Sequence, residues 1–81
     1  MKVNISALTK REAQSVIEEA NFSEEQLNIF NALNKDRFYD YAIMSDLSID
    51  SRRYYKIKKI VLEKVERIAQ LLGYKNAIKV T

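Results

Sequence analysis

Asp46-Leu47-Ser48-Ile49-Asp50-Ser51-Arg52-Arg53-Tyr54-Tyr55-Lys56-Ile57-Lys58-Lys59 is the stretch whose reading decides the fold. Its left end closes one helix, Ser48 to Asp50 forms a tight turn, and Asp50 is placed to cap a second helix. Five of the eight residues from Arg52 to Lys59 are basic and none is acidic. The second helix should run to Leu72, where Gly73 offers a left-handed C-terminal cap. At about 100° per residue, Tyr54, Ile57, Val61, Val65, Ile68 and Leu72 fall within one narrow, core-facing sector. Arg52, Lys56 and Lys59 lie on the opposite side, with Tyr55 and Arg53 at its margins. Further along that outer face Glu63, Glu66, Arg67 and Gln70 nearly cancel. The basic surface is therefore confined to the first half of the helix.

Upstream, two segments carry fuller start signals. Thr9-Lys10-Arg11-Glu12 and Ser23-Glu24-Glu25-Gln26 both have the capping-box form, in which the first and fourth residues bond reciprocally. The first helix should bury Ala13, Val16, Ile17 and Ala20, and Asn21 can end it in a left-handed conformation. In the second, Leu27, Phe30 and Leu33 are expected on the buried face, Ile29 and Ala32 on its flanks, with Phe22 stapled onto Leu27. Asn34-Lys35-Asp36 is the break. Asp36 is expected to cap a third helix that buries Phe38, Tyr41 or Ala42, and Met44. The result is an all-α, four-helix domain with helices at about residues 10–20, 24–33, 37–47 and 51–72. The tails alternate weakly: Val3 and Ile5 could pair with Ile78 and Val80, or both ends could be loose.

Composition narrows the chemistry. Eighty-one residues make one domain, with 47% hydrophobic and 31% charged side chains. Cysteine and histidine are both absent. Disulfides, thiolate chemistry, the usual transition-metal ligands and the commonest general base go with them. No catalytic residue, metal ligand or cofactor site is expected. Asp36, Asp40, Asp46 and Asp50 could be imagined as a metal cluster, but two of them are better explained as helix caps. No apolar run approaches a membrane span, and no signal segment is visible, so a cytoplasmic location is expected. Zero prolines and one glycine suit helices joined by short connections.

The net charge of +3 is unevenly spread. Residues 1–36 carry four basic and six acidic side chains, while residues 37–81 carry ten basic and five acidic. A basic half joined to an acidic half suggests a polyanion on one side only. The arrangement suits a helix-turn-helix over about residues 37–65, whose second helix enters the major groove of double-stranded DNA near its start. Arg52, Arg53, Tyr55, Lys56 and Lys59 are the candidate DNA-contacting residues. Lys35, Arg37, Ser51 and Lys58 are secondary candidates for phosphate contact. Basic residues in a first turn oppose the helix dipole, at about 0.3–1 kcal/mol each when exposed. The earlier helices place Glu there, so something other than helix stability favours Arg52 and Arg53.

A resemblance supports this reading. Ile43-Met44-x-x-Leu47-Ser48-Ile49-Asp50, then Arg53-Tyr54-Tyr55-x-Ile57-Lys58, then Leu62 and Ala69-x-x-Leu72-Gly73, resemble the helix-turn-helix of sigma factor region 4. The segment from Phe38 to Val65 looks still more like the C-terminal domains of ArpU- and RinA-type phage transcriptional activators. The resemblance implies that Ile43, Leu47, Ile49, Tyr54 and Ile57 pack the motif, and that Arg52, Arg53, Tyr55 and Lys56 face DNA. It also implies a transcriptional regulator of phage or mobile-element origin. Two residues depart from the pattern: Met44 stands where a small residue is usual, and Ser48 where Gly is common.

One such motif on so few residues suggests a homodimer on a two-fold site, or an RNA polymerase contact. Ile60, Leu62 and Leu71 fall outside the main core stripe and are the candidate protein interface. A reading from another class gives those residues the main role: a small helical interaction module acting on a partner protein without DNA contact. RNA binding lacks the aromatic sheet or Gly-rich loop of common RNA modules.

Overall fold

The computed structural model describes residues 2–35 and 39–79. Four α-helices carry the fold: α1 (Lys10–Ala20), α2 (Glu24–Asn34), α3 (Asp40–Leu47) and α4 (Ser51–Leu72). The local signals explain most of their ends. Thr9 accepts from the Glu12 amide at 3.1 Å while the Glu12 carboxylate accepts from the Thr9 amide at 2.9 Å. Ser23 and Gln26 repeat this exchange at the start of α2. Asn21 closes α1 at φ 51, and Gly73 closes α4 at φ 75. The Tyr74 amide reaches back to the Ala69 carbonyl at 2.8 Å, the long bond of a Schellman ending.

The core forms where the helices meet α4. Tyr54, Phe30, Ile29, Ile43, Val16, Val61 and Val65 are fully buried. Tyr54, Val61, Val65 and Ile68 hold the sector expected of α4, and Ile57 is half-buried. Leu72, expected in that sector, is exposed, and Ala69 is buried instead.

Other expectations are corrected. In α2, Ile29 is fully buried beside Phe30, whereas Leu33 and Ala32 are half-buried. That helix packs against α4, α3 and the N-terminal turn at once, so its buried sector is wide and rotated toward Ile29. The Phe22 ring lies 5.2 Å from that of Phe30, so the residue before the cap is anchored on Phe30. In α3, Ile43 is the buried residue, Met44 and Ala42 are half-buried, and Tyr41 is 70% exposed. The third helix is shorter than the sequence predicts: Tyr39 is extended (φ −80, ψ 154), and α3 starts at Asp40 instead of residue 37. Asp36, Arg37 and Phe38 lie outside the described residues.

The chain ends meet. A short strand β1 (Lys2–Val3) pairs antiparallel with β2 (Ile78–Lys79), Val3 opposite Ile78. Ile5 is not in the strand; it begins a 3-10 turn over Ile5–Ala7 and is buried. The Asn4 amide donates to the Ala77 carbonyl at 2.6 Å. The Asn34 side chain donates to the Ile5 carbonyl at 2.9 Å, tying this patch to the end of α2. Val80 lies outside the described residues.

Candidate nucleic-acid interface

The turn between α3 and α4 is built from three residues with distinct tasks. Ser48 adopts φ 52 and ψ 47, and the Ile49 amide bonds back to the Met44 carbonyl at 3.1 Å. Ile49 is half-buried and packs against the core. The Asp50 carboxylate then accepts from the Arg53 amide at 2.8 Å and starts α4. Met44, where the resemblance implies a smaller residue, fits half-buried against the core.

α3 and α4 are fastened by one carboxylate. Asp40 Oδ1 accepts from the Tyr54 hydroxyl at 2.6 Å and from the Lys58 ammonium at 2.9 Å. Burial works against the charged Asp40, but these two donors, helped by the neighbouring Tyr55 hydroxyl, outweigh it and hold its pKa below the ordinary value. Burial and the same carboxylate push the Tyr54 hydroxyl strongly upward. Lys58 is thereby committed inside the protein, with its ammonium also 5.9 Å from the Tyr54 and Tyr55 ring centres.

A second fastening joins α2 to α4. Arg53 Nε donates to Glu25 Oε2 at 2.9 Å and Nη2 donates to Oε1 at 2.5 Å. The hydrogen bonds from Arg53 lower the Glu25 pKa, and Glu25 in turn raises that of Arg53. The pair is exposed on both sides and salt would screen it. Arg53 therefore has a partner of its own. The puzzle of a cation in the first turn of α4 is answered, for this residue, by a carboxylate across the helix pair.

The remaining candidates are differently placed. Arg52, Lys56 and Lys59 are exposed and have no hydrogen-bond or ion-pair partner among the described residues. They form one outward stripe on α4, on the side away from Tyr54 and Val61. Tyr55 borders the stripe, 49% exposed, with its ring edge-on to Tyr54 at 5.1 Å. Ser51, the first residue of α4, and Lys35, at the end of α2, are exposed. Arg37 lies outside the described residues. Of the apolar candidates, Ile60 and Leu71 are 38% and 79% exposed, whereas Leu62 is half-buried against the core. Leu62 points about 160° away from Ile60 around the helix, so the three form no single surface.

Sequence reasoning misses an aromatic feature. Tyr39 and Tyr41 flank Asp40, both well exposed, with rings stacked 5.8 Å apart and 4° from parallel. The sequence offers Tyr41 to the core because Tyr41-Ala42-Ile43-Met44 is an unbroken apolar turn, so its pattern does not choose a face. The only prior signal is the alternation Tyr39-Asp40-Tyr41, which suits an extended entry better than a helix.

Among the described residues, no three His, Cys, Asp or Glu side chains gather closely enough to hold a metal ion. Asp40 is occupied by Tyr54 and Lys58, and Asp50 by the Arg53 amide. No described helix is long and apolar enough to cross a membrane. Comparison with known proteins finds no matching family model, no matching curated protein and no matching solved structure. The functional reading rests on the residues themselves.

Proposed function

We propose that this protein binds double-stranded DNA through the first half of α4 and acts as a transcriptional regulator. The observation that carries the reading is the stripe of Arg52, Lys56 and Lys59. Nearby Arg53 and Lys58 are neutralised within the protein, yet these three cations stand exposed on one face without partners among the described residues. Self-contained stability would have no need of such a face. Phosphates and guanine edges are the ligands it suits: a cation on a phosphate releases a counterion, and Arg can donate twice to guanine. The order helix, left-handed Ser48, Asp50 cap, helix also suits docking of α4 in a major groove.

Within this reading the roles separate. Arg52 and Lys56 are the base-edge candidates, being earliest on the stripe. Lys59, Tyr55 and Ser51 would contact backbone. Arg53 would reach a phosphate only by leaving Glu25. Lys58 serves best as the clamp on Asp40. The regulatory role, and a phage or mobile-element origin, come from the resemblance of the segment from Phe38 to Val65 to sigma region 4 and the ArpU- and RinA-type activators.

The test is selection of bound sequences from a random duplex pool, followed by the Arg52→Ala, Lys56→Ala double variant. Specific binding should disappear while helical circular dichroism is unchanged. Unchanged binding would reject this face. A protein-binding module without DNA contact is favoured by one observation, the exposure of Ile60 and Leu71. It predicts that the double variant keeps its partner and that the wild-type chain ignores duplex DNA.

A further inference from the structure

Ile60 and Leu71 stand about 20° apart around α4, with Arg67 between them along the helix and about 20° from Ile60 toward the basic stripe. Glu63 lies about 60° from Ile60, on the line of the basic stripe about two turns past Lys56, where its side chain can lean toward the flank. Ile60, Glu63, Lys64 and Arg67 line a shallow groove there. Glu63 and Arg67 have no ion-pair partner among the described residues. Lys64 is turned away: its ammonium donates to Gln26 Oε1 at 2.9 Å and lies 5.5 Å from the Phe22 ring centre.

These features are self-complementary in one orientation. If two α4 helices lie antiparallel on this flank, with the two-fold axis between residues 65 and 66, Ile60 meets Leu71 of the other copy. Glu63 then stands within reach of the other Arg67, twice by symmetry. Lys64, as near the axis as Arg67, stays with Gln26 and out of the seam. We propose that this flank of α4 is the contact surface for a second copy of this chain.

The pairing has a consequence that rests on the DNA reading. The basic stripe is about 80° around α4 from the contact flank, so it points nearly along the two-fold axis. That axis leaves its own direction unchanged, and both stripes therefore face one side of the pair. With a rise of about 1.5 Å per residue and an axis separation of about 8–10 Å, the stripe centres lie about 30 Å apart. Equivalent positions one turn apart on a duplex are separated by about 34–36 Å. A single duplex can therefore touch both stripes, which doubles the phosphate contacts available to so small a chain.

The chain has no cysteine, so thiols can be placed cleanly. Ile60→Cys and Leu71→Cys chains, mixed and mildly oxidised without DNA, should give a disulfide-linked pair containing one of each. Ile60→Cys alone should link poorly, because the two positions are about 16 Å apart along the helices. Glu63→Arg should reduce the sedimenting particle from two chains to one, and adding Arg67→Glu should restore two. Wild-type protein that sediments as one chain overturns the proposal, as does a mixture that links no better than its components. The two claims fail separately. A particle of two chains that ignores duplex DNA keeps this pairing and removes the DNA reading; a single chain that binds DNA does the opposite.

Discussion

Ser48 sits at φ 52, where a side chain crowds the following carbonyl, and the left-handed conformation costs roughly 1–2 kcal/mol for an L-residue. Its conformation is demanded by the bond from the Ile49 amide to Met44, which closes α3 and aims the chain into α4. Glycine would meet that demand without the clash, offset in part by its greater freedom when unfolded. Ser48→Gly should therefore stabilise the protein by about 0.5–1 kcal/mol in chemical denaturation; a loss of stability would show that the hydroxyl has an unrecognised role. Tyr54 is the other decisive residue, since it fills the core and carries the bond to Asp40. Tyr54→Phe keeps the ring and should cost about 1 kcal/mol, because Asp40 retains Lys58 and is not left bare.

At the scale of the elements, the same bond gives α3 and α4 a dependence on pH. Asp40 titrates lower in the folded chain than its ordinary 3.8, so its contribution is fully present above that pH and is lost as the pH falls through the lower folded value. Tyr54 titrates higher than its ordinary 10.0, so its contribution is present below that pH and fades as the pH rises toward the folded value. Denaturation midpoints across pH should show both limbs, and Tyr54→Phe should remove the alkaline one. The caps of these elements are legible in the sequence: Thr9, Ser23 and Asp50 start helices, and Asn21 and Gly73 end them. Each acts through neighbours a few residues away. The face of α3 is not legible, because an almost wholly apolar turn looks alike from every side. Its burial of Ile43 and exposure of Tyr41 are decided by where α2 and α4 lie. The tie between α2 and α4 is equally hidden, since nothing local links Glu25 to Arg53. Glu25→Gln should release Arg53 and remove a nearby negative charge. On the DNA reading, affinity then rises and the slope of log affinity against log salt steepens by about 0.9, one phosphate. An unaltered slope would mean that Arg53 does not reach the nucleic acid.

Across the whole molecule, charge among the described residues of α2, α3 and α4 is neutralised in part. Glu25 takes Arg53 and Asp40 takes Lys58, while Arg52, Lys56 and Lys59 are left facing outward. The sequence reveals where that basic surface stops along α4, because the later outer positions, Glu63, Glu66, Arg67 and Gln70, nearly cancel. It does not reveal which cations are already paired, because both acceptors come from other helices. The closing strand pair is likewise beyond local pattern: Val3 meets Ile78 from the far end of the chain. The folded chain thus presents a smaller and better-defined unpaired basic face than its basic run suggests. The most direct measurement is the affinity for a generic duplex across a salt series, for the wild-type chain and for Arg52→Ala, Lys56→Ala, Lys59→Ala together. On a generic duplex no base edge is read, and Arg52 and Lys56 as well as Lys59 meet phosphates. Log affinity should then fall with log salt at a slope of about −3 per chain, and the triple variant should lose most of that slope. A wild-type slope near zero, or a variant that binds as the wild type does, would contradict DNA binding by this stripe.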